Sequence, residues 1–138
     1  MFKLLMFLAA LALFDLTENA TSQKLLADAY EAGNVVAAVC HGVAAFVHVK
    51  LSNGEYLIKD QPVTAFSNDE EETVGLLSKV PYKLEDALIQ NGGKYEKAAE
   101  QWGAHVSVGR DGKLISGQNP ASAAPLAKTF LKHWQSKH

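Results

Sequence analysis

The stretch Val35-Val36-Ala37-Ala38-Val39-Cys40-His41-Gly42 decides the fold of this chain. Its first five residues are apolar, rich in β-branched valine and free of the polar alternation that marks a half-exposed strand. Such a run is typical of a central strand in a parallel sheet that is covered on both faces. The sequence therefore predicts a buried strand over 35–40, which ends at His41-Gly42 and is followed by a short buried helix over 43–49.

The rest of the chain alternates helical and extended patterns without internal repeats or linkers. This alternation predicts an α/β fold, with an antiparallel hairpin near the C-terminus because Asp-Gly between two apolar runs is a strong turn signal. The predicted elements are, in chain order, a helix capped by Ser22, a strand over 63–66, a helix that begins in the acidic run 69–72, helices over 84–90 and 95–101, strands over 105–108 and 113–116 joined by Asp111-Gly112, and a last helix capped by Ser122.

Length and composition exclude several classes of function. The chain has 138 residues, enough for one domain, and its 48% hydrophobic and 20% charged residues are typical of a globular core. A formal net charge of −2 gives no basic surface for a nucleic acid partner. The single cysteine excludes an intramolecular disulfide and a multi-cysteine metal site, and the five histidines show no HxxxH or HExxH spacing, so no metal is predicted.

The N-terminal segment 1–14 is atypical for such a domain. After Met1-Phe2-Lys3 an apolar run extends over 4–14, which is shorter than the ~20 residues of a membrane helix, so no membrane span is predicted. The charged start and the apolar run are typical of a secretory signal peptide, but Glu18 stands two positions before Ala20, where cleavage needs a small residue. We therefore predict a cytoplasmic protein, with secretion as the alternative; otherwise the segment is a buried helix or strand, or is foreign to the fold.

The sequence predicts a reactive thiol, that of Cys40, at the end of the central strand. A sharp turn from strand to helix would lift the Cys40 thiol to the carboxyl edge of the sheet, where α/β folds place their sites. A helix N-terminus beside the thiol would lower its pKa from ~8.5 toward ~7. Free backbone N–H groups at the turn would hold a developing oxyanion. The alternative is that Cys40 is a small buried hydrophobic residue without reactivity.

Motifs that carry a family resemblance are spread over nearly the whole chain. They are Ala37-Ala38-Val39-Cys40-His41-Gly42, Phe66-Ser67-Asn68, the acidic run 69–72, Val80-Pro81-Tyr82, Leu84-Glu85-Asp86 and Gly117-Gln118-Asn119-Pro120-Ala121-Ser122. Together they resemble the ThiJ/PfpI superfamily, which has the class I glutamine amidotransferase-like fold, and within it the glyoxalase III (D-lactate dehydratase) branch. The resemblance implies one domain over 1–138, built as a three-layer α/β sandwich around a mostly parallel sheet.

The resemblance also implies an enzyme that needs no cofactor and converts methylglyoxal, a small aldehyde, to D-lactate. Cys40 matches the family's nucleophile and His41 its adjacent base, while the acidic member of the set falls at Glu71, with Glu70 and Glu72 left open. In such a set the base activates the nucleophile and the acid orients the base. Family members commonly form homodimers, and their loop corresponding to Asn119 and Ser122 lies near the mouth of the site.

The chain departs from the family at its N-terminal side. Family members carry there a first strand with its helix, a Gly-Gly-His-Gly type loop that helps form the oxyanion site, and a glutamate that contacts the cysteine. The run 4–14 has no glycine, acid or histidine to replace them. The sequence therefore predicts a partial domain whose N-terminal strands are missing, an exposed apolar edge along 35–40, and a thiol pocket open on one side.

Two hypotheses about function follow from this conflict. In the first, the chain is an active methylglyoxal-converting enzyme, and 4–14 fills part of the sheet. In the second, the chain is a catalytically incomplete member of the family that acts as a chaperone-like or interaction protein. The intact Cys40, His41 and acidic run favour the first hypothesis, whereas the N-terminal composition favours the second.

Overall fold

A computed structural model describes residues 5–7 and 15–137, in which strands and helices alternate along the chain. The predicted α/β class is confirmed. Short 3-10 helices cover Cys40–Phe46, Arg110–Gly112 and Pro120–Ser122. The other regular elements are, in chain order, β1 (Leu5–Phe7), α1 (Ala20–Glu31), β2 (Val36–Val39), β3 (Pro62–Val63), α2 (Asn68–Thr73), α3 (Leu84–Gln90), β4 (Lys94–Tyr95), β5 (Val106–Gly109), β6 (Leu114–Gly117) and α4 (Ala123–Lys137).

The central sheet has the strand order β1-β2-β6-β5. β2 runs parallel to β1 and to β6, whereas β5 and β6 form the antiparallel hairpin predicted around Asp111-Gly112. β3 and β4 form a separate parallel pair. In the register of β2 and β6, Val39 lies opposite Gly117. The carboxyl ends of these two strands therefore bring Cys40 and the loop 118–122 to the same edge of the sheet.

Helices cover both faces of β2, whose four residues are all buried. Val36 and Ala38 pack in one apolar cluster with side chains of α1 and α3. Ala37 and Val39 point the other way and pack in a second cluster with side chains of α4. Because successive side chains of a strand alternate between the two faces, this division confirms the predicted sandwich with β2 in its middle layer.

β1 lies along the edge of β2 that the sequence predicted to be exposed. Its three residues pair in parallel with Val36, Ala37 and Ala38. The predicted exposed edge is therefore wrong for this part of β2, because the apolar N-terminal segment itself supplies a neighbouring strand, as in the first hypothesis. Residues 1–4 and 8–14, on which the signal-peptide prediction and the predicted lack of N-terminal strands also depend, lie outside the described residues.

The predicted cap of α1 is wrong, because another side chain satisfies the backbone there. Asn19 caps α1, and its Oδ1 accepts a hydrogen bond from the Ser22 N–H at 2.8 Å. Ser122, the predicted cap of α4, directly precedes Ala123, and its hydroxyl donates to Asn119 Oδ1 at 2.9 Å and accepts from the His105 N–H at 3.0 Å. Ser22 therefore lies one turn inside α1, whereas Ser122 stands at the predicted start of α4.

The helix predicted over 95–101 is also wrong. Tyr95 belongs to β4, and the pairing with β3 continues as the Glu96 N–H donates to the Val63 carbonyl at 2.9 Å. The helix predicted over 43–49 is present as a 3-10 helix that starts already at Cys40. The helix predicted over 84–90 is α3, with the predicted bounds. Within the described ranges, no helix combines the length and the apolar character that a membrane crossing requires.

Candidate active site

A tight backbone elbow at the end of β2 carries Cys40. Val39 is extended, with φ −134° and ψ 145°, whereas Cys40 has φ +59°, in the left-handed region that residues other than glycine seldom adopt. Such a conformation costs about 1–3 kcal/mol and persists only where the surrounding structure fixes it. Here a 3-10 helix of entirely buried residues follows directly. The predicted sharp turn from strand to helix is confirmed.

The elbow brings the thiol next to an imidazole and a carboxylate. Cys40 Sγ lies 3.6 Å from His41 Nδ1, and His41 Nε2 lies 2.8 Å from Glu71 Oε1. An ionised carboxylate only accepts hydrogen bonds, so Nε2 carries the hydrogen and Nδ1 presents its lone pair to the thiol. All three residues are buried, with exposed fractions of 4%, 7% and 1% for Cys40, His41 and Glu71. Burial strengthens the attraction between an imidazolium and the carboxylate.

Among the acids of the run 69–72, Glu71 is the one that contacts His41. Glu70 is buried as well, but its carboxylate accepts hydrogen bonds from other parts of the chain. Glu72 is exposed. The geometry thus separates three acids that the sequence left open: one faces the imidazole, one faces the neighbouring loops and one faces solvent. Glu71 Oε2 is buried without a hydrogen-bond partner among the described residues.

A capping box fixes the start of α2, the helix that carries Glu71. The sequence Ser67-Asn68-Asp69-Glu70 has serine at the cap and glutamate three residues later, the spacing that such a box requires. Ser67 Oγ accepts a hydrogen bond from the Glu70 N–H at 3.2 Å, and Glu70 Oε1 accepts one from the Ser67 N–H at 3.1 Å. This double closure holds the first turn of α2 and therefore the point from which the Glu71 side chain projects.

Burial raises the pKa of the Cys40 thiol to about 12, from an ordinary value of 9.0. A hydrogen bond from the His41 N–H to the sulfur favours the thiolate, and the negative charges of Glu70 and Glu71 disfavour it. The predicted lowering of this pKa toward ~7 is therefore wrong for the resting site, because the loss of water outweighs the backbone hydrogen bond. The resting thiol is protonated at neutral pH, so a base has to remove its proton before it reacts.

Two aromatic rings pack in a row beside the imidazole. The ring centroid of His41 lies 4.5 Å from that of Phe66, and the Phe66 centroid lies 5.6 Å from that of Trp102. Phe66 is 4% exposed and Trp102 is 40% exposed, so the row leads from the imidazole to the surface. Phe66 belongs to a motif of the family resemblance, but Trp102 belongs to none, and no local pattern predicts that it packs here.

The loop after β6 contacts α2 at the acid next to Glu71. Gln118 Nε2 donates to Glu70 Oε1 at 3.0 Å, and Asn119 Nδ2 donates to Glu70 Oε2 at 2.8 Å. Ser122 donates to Asn119 Oδ1, so Asn119 contacts Glu70 directly and Ser122 contacts it through Asn119. Gln118 belongs to the motif 117–122 of the family resemblance, but the sequence predicted no role for it, since a glutamine after a strand carries no distinctive signal.

The described residues offer no separate metal centre. Among them, no three His, Cys, Asp or Glu side chains are grouped so that they could bind one ion. The contacts described above place a thiol, an imidazole and a carboxylate together at the site.

Comparison with known proteins finds similar proteins that are named as glyoxalases. It is 36% identical over 128 residues to the probable glutathione-independent glyoxalase hsp3104 of Schizosaccharomyces pombe, a match that covers 90% of this chain and 57% of that protein. Its structure matches glyoxalase III from Candida albicans with a TM-score of 0.81 at 27% identity, over 93% of this chain and 56% of the other. A ThiJ/PfpI domain protein from Brachyspira murdochii shares the fold, with a TM-score of 0.60 at 17% identity over 88% and 54% of the two chains. No family model matches the chain.

The matches run over nearly all of this chain but not over all of its relatives. The chain spans about half the length of the curated relatives it matches. Within that half, sequence and fold agree with the resemblance carried by the motifs around Cys40 and Glu71. The comparisons therefore support the resemblance to the glutathione-independent glyoxalases, and the chain shares the fold of a ThiJ/PfpI domain protein.

Proposed function

We propose that this chain is a glutathione-independent glyoxalase that converts methylglyoxal to D-lactate without a cofactor. The observation that carries the proposal is the buried series of contacts from Cys40 through His41 to Glu71. A nucleophile, a base and an acid that orients the base are the groups needed to add to an aldehyde and to move protons afterwards. The names of relatives that match over most of this chain support the same activity.

In the first step, Cys40 Sγ bonds to the aldehyde carbon of methylglyoxal. Because burial raises the pKa of the thiol to about 12, His41 Nδ1 takes the thiol proton as the carbon–sulfur bond forms. The electron pair of the carbonyl bond moves onto its oxygen, which then receives that proton, and a hemithioacetal results. Glu71 stabilises the transient imidazolium through its contact with Nε2.

In the second step, His41 moves a proton between the two reacting carbons. It takes the proton from the carbon bonded to sulfur, an enediolate forms, protons redistribute between its oxygens, and the neighbouring carbon is protonated. The first carbon is thereby oxidised to a thioester and the second reduced to an alcohol, so no external oxidant or reductant is needed. Water then hydrolyses the thioester: the carbon–sulfur bond breaks, the sulfur regains a proton and D-lactate leaves.

The test is the formation of D-lactate from methylglyoxal by the full chain in the absence of glutathione, measured with a stereospecific lactate assay. We expect turnover by the wild-type chain and a loss on the order of 10³-fold or more in Cys40→Ser, because a serine hydroxyl is a far weaker nucleophile than a thiolate. Glu71→Gln should lower kcat, whereas Glu72→Gln changes an exposed residue of the same helix and should leave it unchanged.

A folded wild-type chain that forms no D-lactate would contradict the proposal. That result would favour the alternative of a catalytically incomplete, chaperone-like or interaction protein. A homodimer and a cytoplasmic location stay predictions. Light scattering tests the first of them directly, and the proposed chemistry does not depend on it, because Cys40, His41 and Glu71 meet within one chain.

A further inference from the structure

Glu70 is a fully buried acid for which the proposed reaction provides no role. Its exposed fraction is 0%, and it precedes Glu71, which is 1% exposed, in the first turn of α2. Two adjacent glutamates without access to water are unfavourable unless each is well bound, because buried charges lose their hydration. Glu71 has its contact with His41. The reason for burying Glu70 has to lie in its own partners.

The Glu70 carboxylate accepts five hydrogen bonds. Its Oε1 binds the Ser67 N–H at 3.1 Å, the Ser67 hydroxyl at 3.0 Å and Gln118 Nε2 at 3.0 Å. Its Oε2 binds Asn119 Nδ2 at 2.8 Å and the Trp102 N–H at 3.2 Å. Hydrogen bonds to a charged acceptor are the stronger kind, and all of these except the partly buried one from Trp102 are shielded from water.

These partners come from three separate parts of the chain that meet around the site. Ser67 caps α2, and Trp102 is the outer ring of the aromatic row beside His41. Gln118 and Asn119 follow β6. β6 ends at Gly117, which pairs with Val39, the last residue of β2 and the residue before Cys40. Glu70 thus connects the helix that carries the orienting acid to the loop beside the nucleophile.

We propose that Glu70 is a positioning residue of this active site, whose buried carboxylate ties α2 to the loop 118–119 and to Trp102 so that Glu71 keeps its contact with His41. The inference rests on the proposed function where it is tested by kcat, but its second test, a proton resonance of His41, does not need the chain to be active. Glu70 acts through Glu71 and does not itself meet the substrate.

Glu70→Gln is the sharpest probe, because it keeps the shape of the side chain and removes acceptor capacity. Both carboxylate oxygens of Glu70 accept from N–H groups. In either orientation, the NH₂ group of the new glutamine therefore meets another donor and one hydrogen bond is lost. We expect kcat for methylglyoxal to fall on the order of 10–100-fold, because a small displacement of an orienting group has an effect of that size, with KM changed less than about twofold. Glu72→Gln, an exposed neighbour in the same helix, is the matched control and should have no effect.

A double variant exchanges donor and acceptor in the shortest of these hydrogen bonds, the one from Asn119 to Glu70. In Glu70→Gln with Asn119→Asp, the new amide can donate to the new carboxylate, in place of the 2.8 Å bond that runs the other way. Asn119→Asp alone places two buried carboxylates in contact and should be impaired at least as much as Glu70→Gln. Asn119 Nδ2 also donates to the Gly103 carbonyl at 2.8 Å, a bond that Asn119→Asp loses with or without Glu70→Gln. We therefore expect the double variant to be more active than Asn119→Asp alone, which a general loss of packing would not produce.

The independent readout is the proton resonance of the His41 ring N–H that binds Glu71, assigned by its loss in His41→Gln. We expect this resonance to broaden or disappear by exchange with water in Glu70→Gln and to remain in Glu72→Gln. It is measured on the folded chain without substrate, so it decides the proposal even if the wild-type chain forms no D-lactate.

The proposal would be overturned by a folded Glu70→Gln chain that keeps both the resonance and a kcat within about twofold of the wild type. A double variant no better than the worse single variant would also overturn it. If Glu70→Gln does not fold, the double variant is compared with the wild type in its place. Failure of both to fold would show that Glu70 supports the fold and has no separate positioning role.

Discussion

At Cys40, two local effects act on the thiol in opposite directions. Burial raises its pKa, while the hydrogen bond from the His41 N–H lowers it. Because burial is the larger effect, the resting group is a neutral thiol, and a thiolate exists only while a base holds the proton. The left-handed backbone of Cys40 presents this thiol beside His41 Nδ1, so the nearest base is also the residue next to it in sequence.

The state of this thiol predicts how Cys40 reacts with iodoacetamide. We expect the rate on the native chain to rise continuously with pH through pH 9.0, since the native pKa is raised to about 12. At about pH 8 the urea-denatured chain should react on the order of 10²–10³-fold faster, because its thiolate fraction is larger and its sulfur is accessible. The chain has one cysteine, so every modified molecule reports on this site. A native rate that is already at its plateau near neutral pH would contradict this account.

At the scale of single elements, α1 and α2 begin with the same kind of cap but carry different roles. Asn19 caps α1 through a 2.8 Å bond to the Ser22 N–H. Ser67 caps α2 through the reciprocal bonds with Glu70. Only α2 carries a residue of the candidate site, so a weakened start of this helix should affect chemistry as well as stability.

Removal of the two caps should therefore give different results. Asn19→Ala and Ser67→Ala should each lower the free energy of unfolding by about 1 kcal/mol, the usual effect of an N-cap. Ser67→Ala should in addition lower kcat for methylglyoxal, because the first turn of α2 positions Glu71. Urea unfolding and steady-state kinetics on both variants separate the two effects. Equal kcat values for the two variants would contradict the positioning role of α2.

At the scale of the whole molecule, the two apolar clusters shield several weak acids from water, Cys40 fully and Tyr82 and Tyr95 in part. Burial raises the pKa of Cys40 to about 12 and that of Tyr82 to about 12, and it also raises the pKa of Tyr95. Each of these groups holds its proton more tightly in the folded chain than in the unfolded one. The unfolded chain therefore loses these protons first as the pH rises.

This difference predicts that the fold weakens in alkali. The stabilisation from these groups is fully present below pH 9.0, the ordinary pKa of a cysteine, and is lost as the pH rises toward about 12. Each group lowers the free energy of unfolding by up to about 1.4 kcal/mol per pH unit within its own range. Urea midpoints between about pH 8 and about pH 11 measure the slope, which Cys40→Ser and Tyr82→Phe should each reduce. A midpoint independent of pH over this range would contradict the burial of these groups.

Local patterns predicted those parts of the molecule that nearby residues determine. The apolar run before Cys40, the Asp111-Gly112 hairpin and the helix over 84–90 each depend on a few consecutive residues. The family resemblance placed the acid at Glu71, and the geometry puts that residue at His41. Caps were harder to predict, because Ser22 and Asn19 are both good cap residues within the same turn.

Contacts between distant parts of the chain were not predictable from local patterns. The bond from Gln118 to Glu70 spans 48 residues, and neither residue type signals the other. The pairing of β1 with β2 likewise depends on tertiary contact, because an apolar run such as 4–14 fits a helix, a strand or a signal segment equally well. The raised pKa of Cys40 was missed for the same reason, since burial by the whole fold outweighs the local turn.

The central claim of this account is that Glu71 supports the reaction of Cys40 through its contact with His41. The most direct measurement is kcat for methylglyoxal in His41→Gln, Glu71→Gln and the double variant, at the same pH and on folded chains. We predict that Glu71→Gln lowers kcat on the order of 10²-fold, that His41→Gln lowers it further, and that the double variant is no worse than His41→Gln alone. Losses that multiply in the double variant, or a Glu71→Gln chain with the wild-type kcat, would contradict the claim.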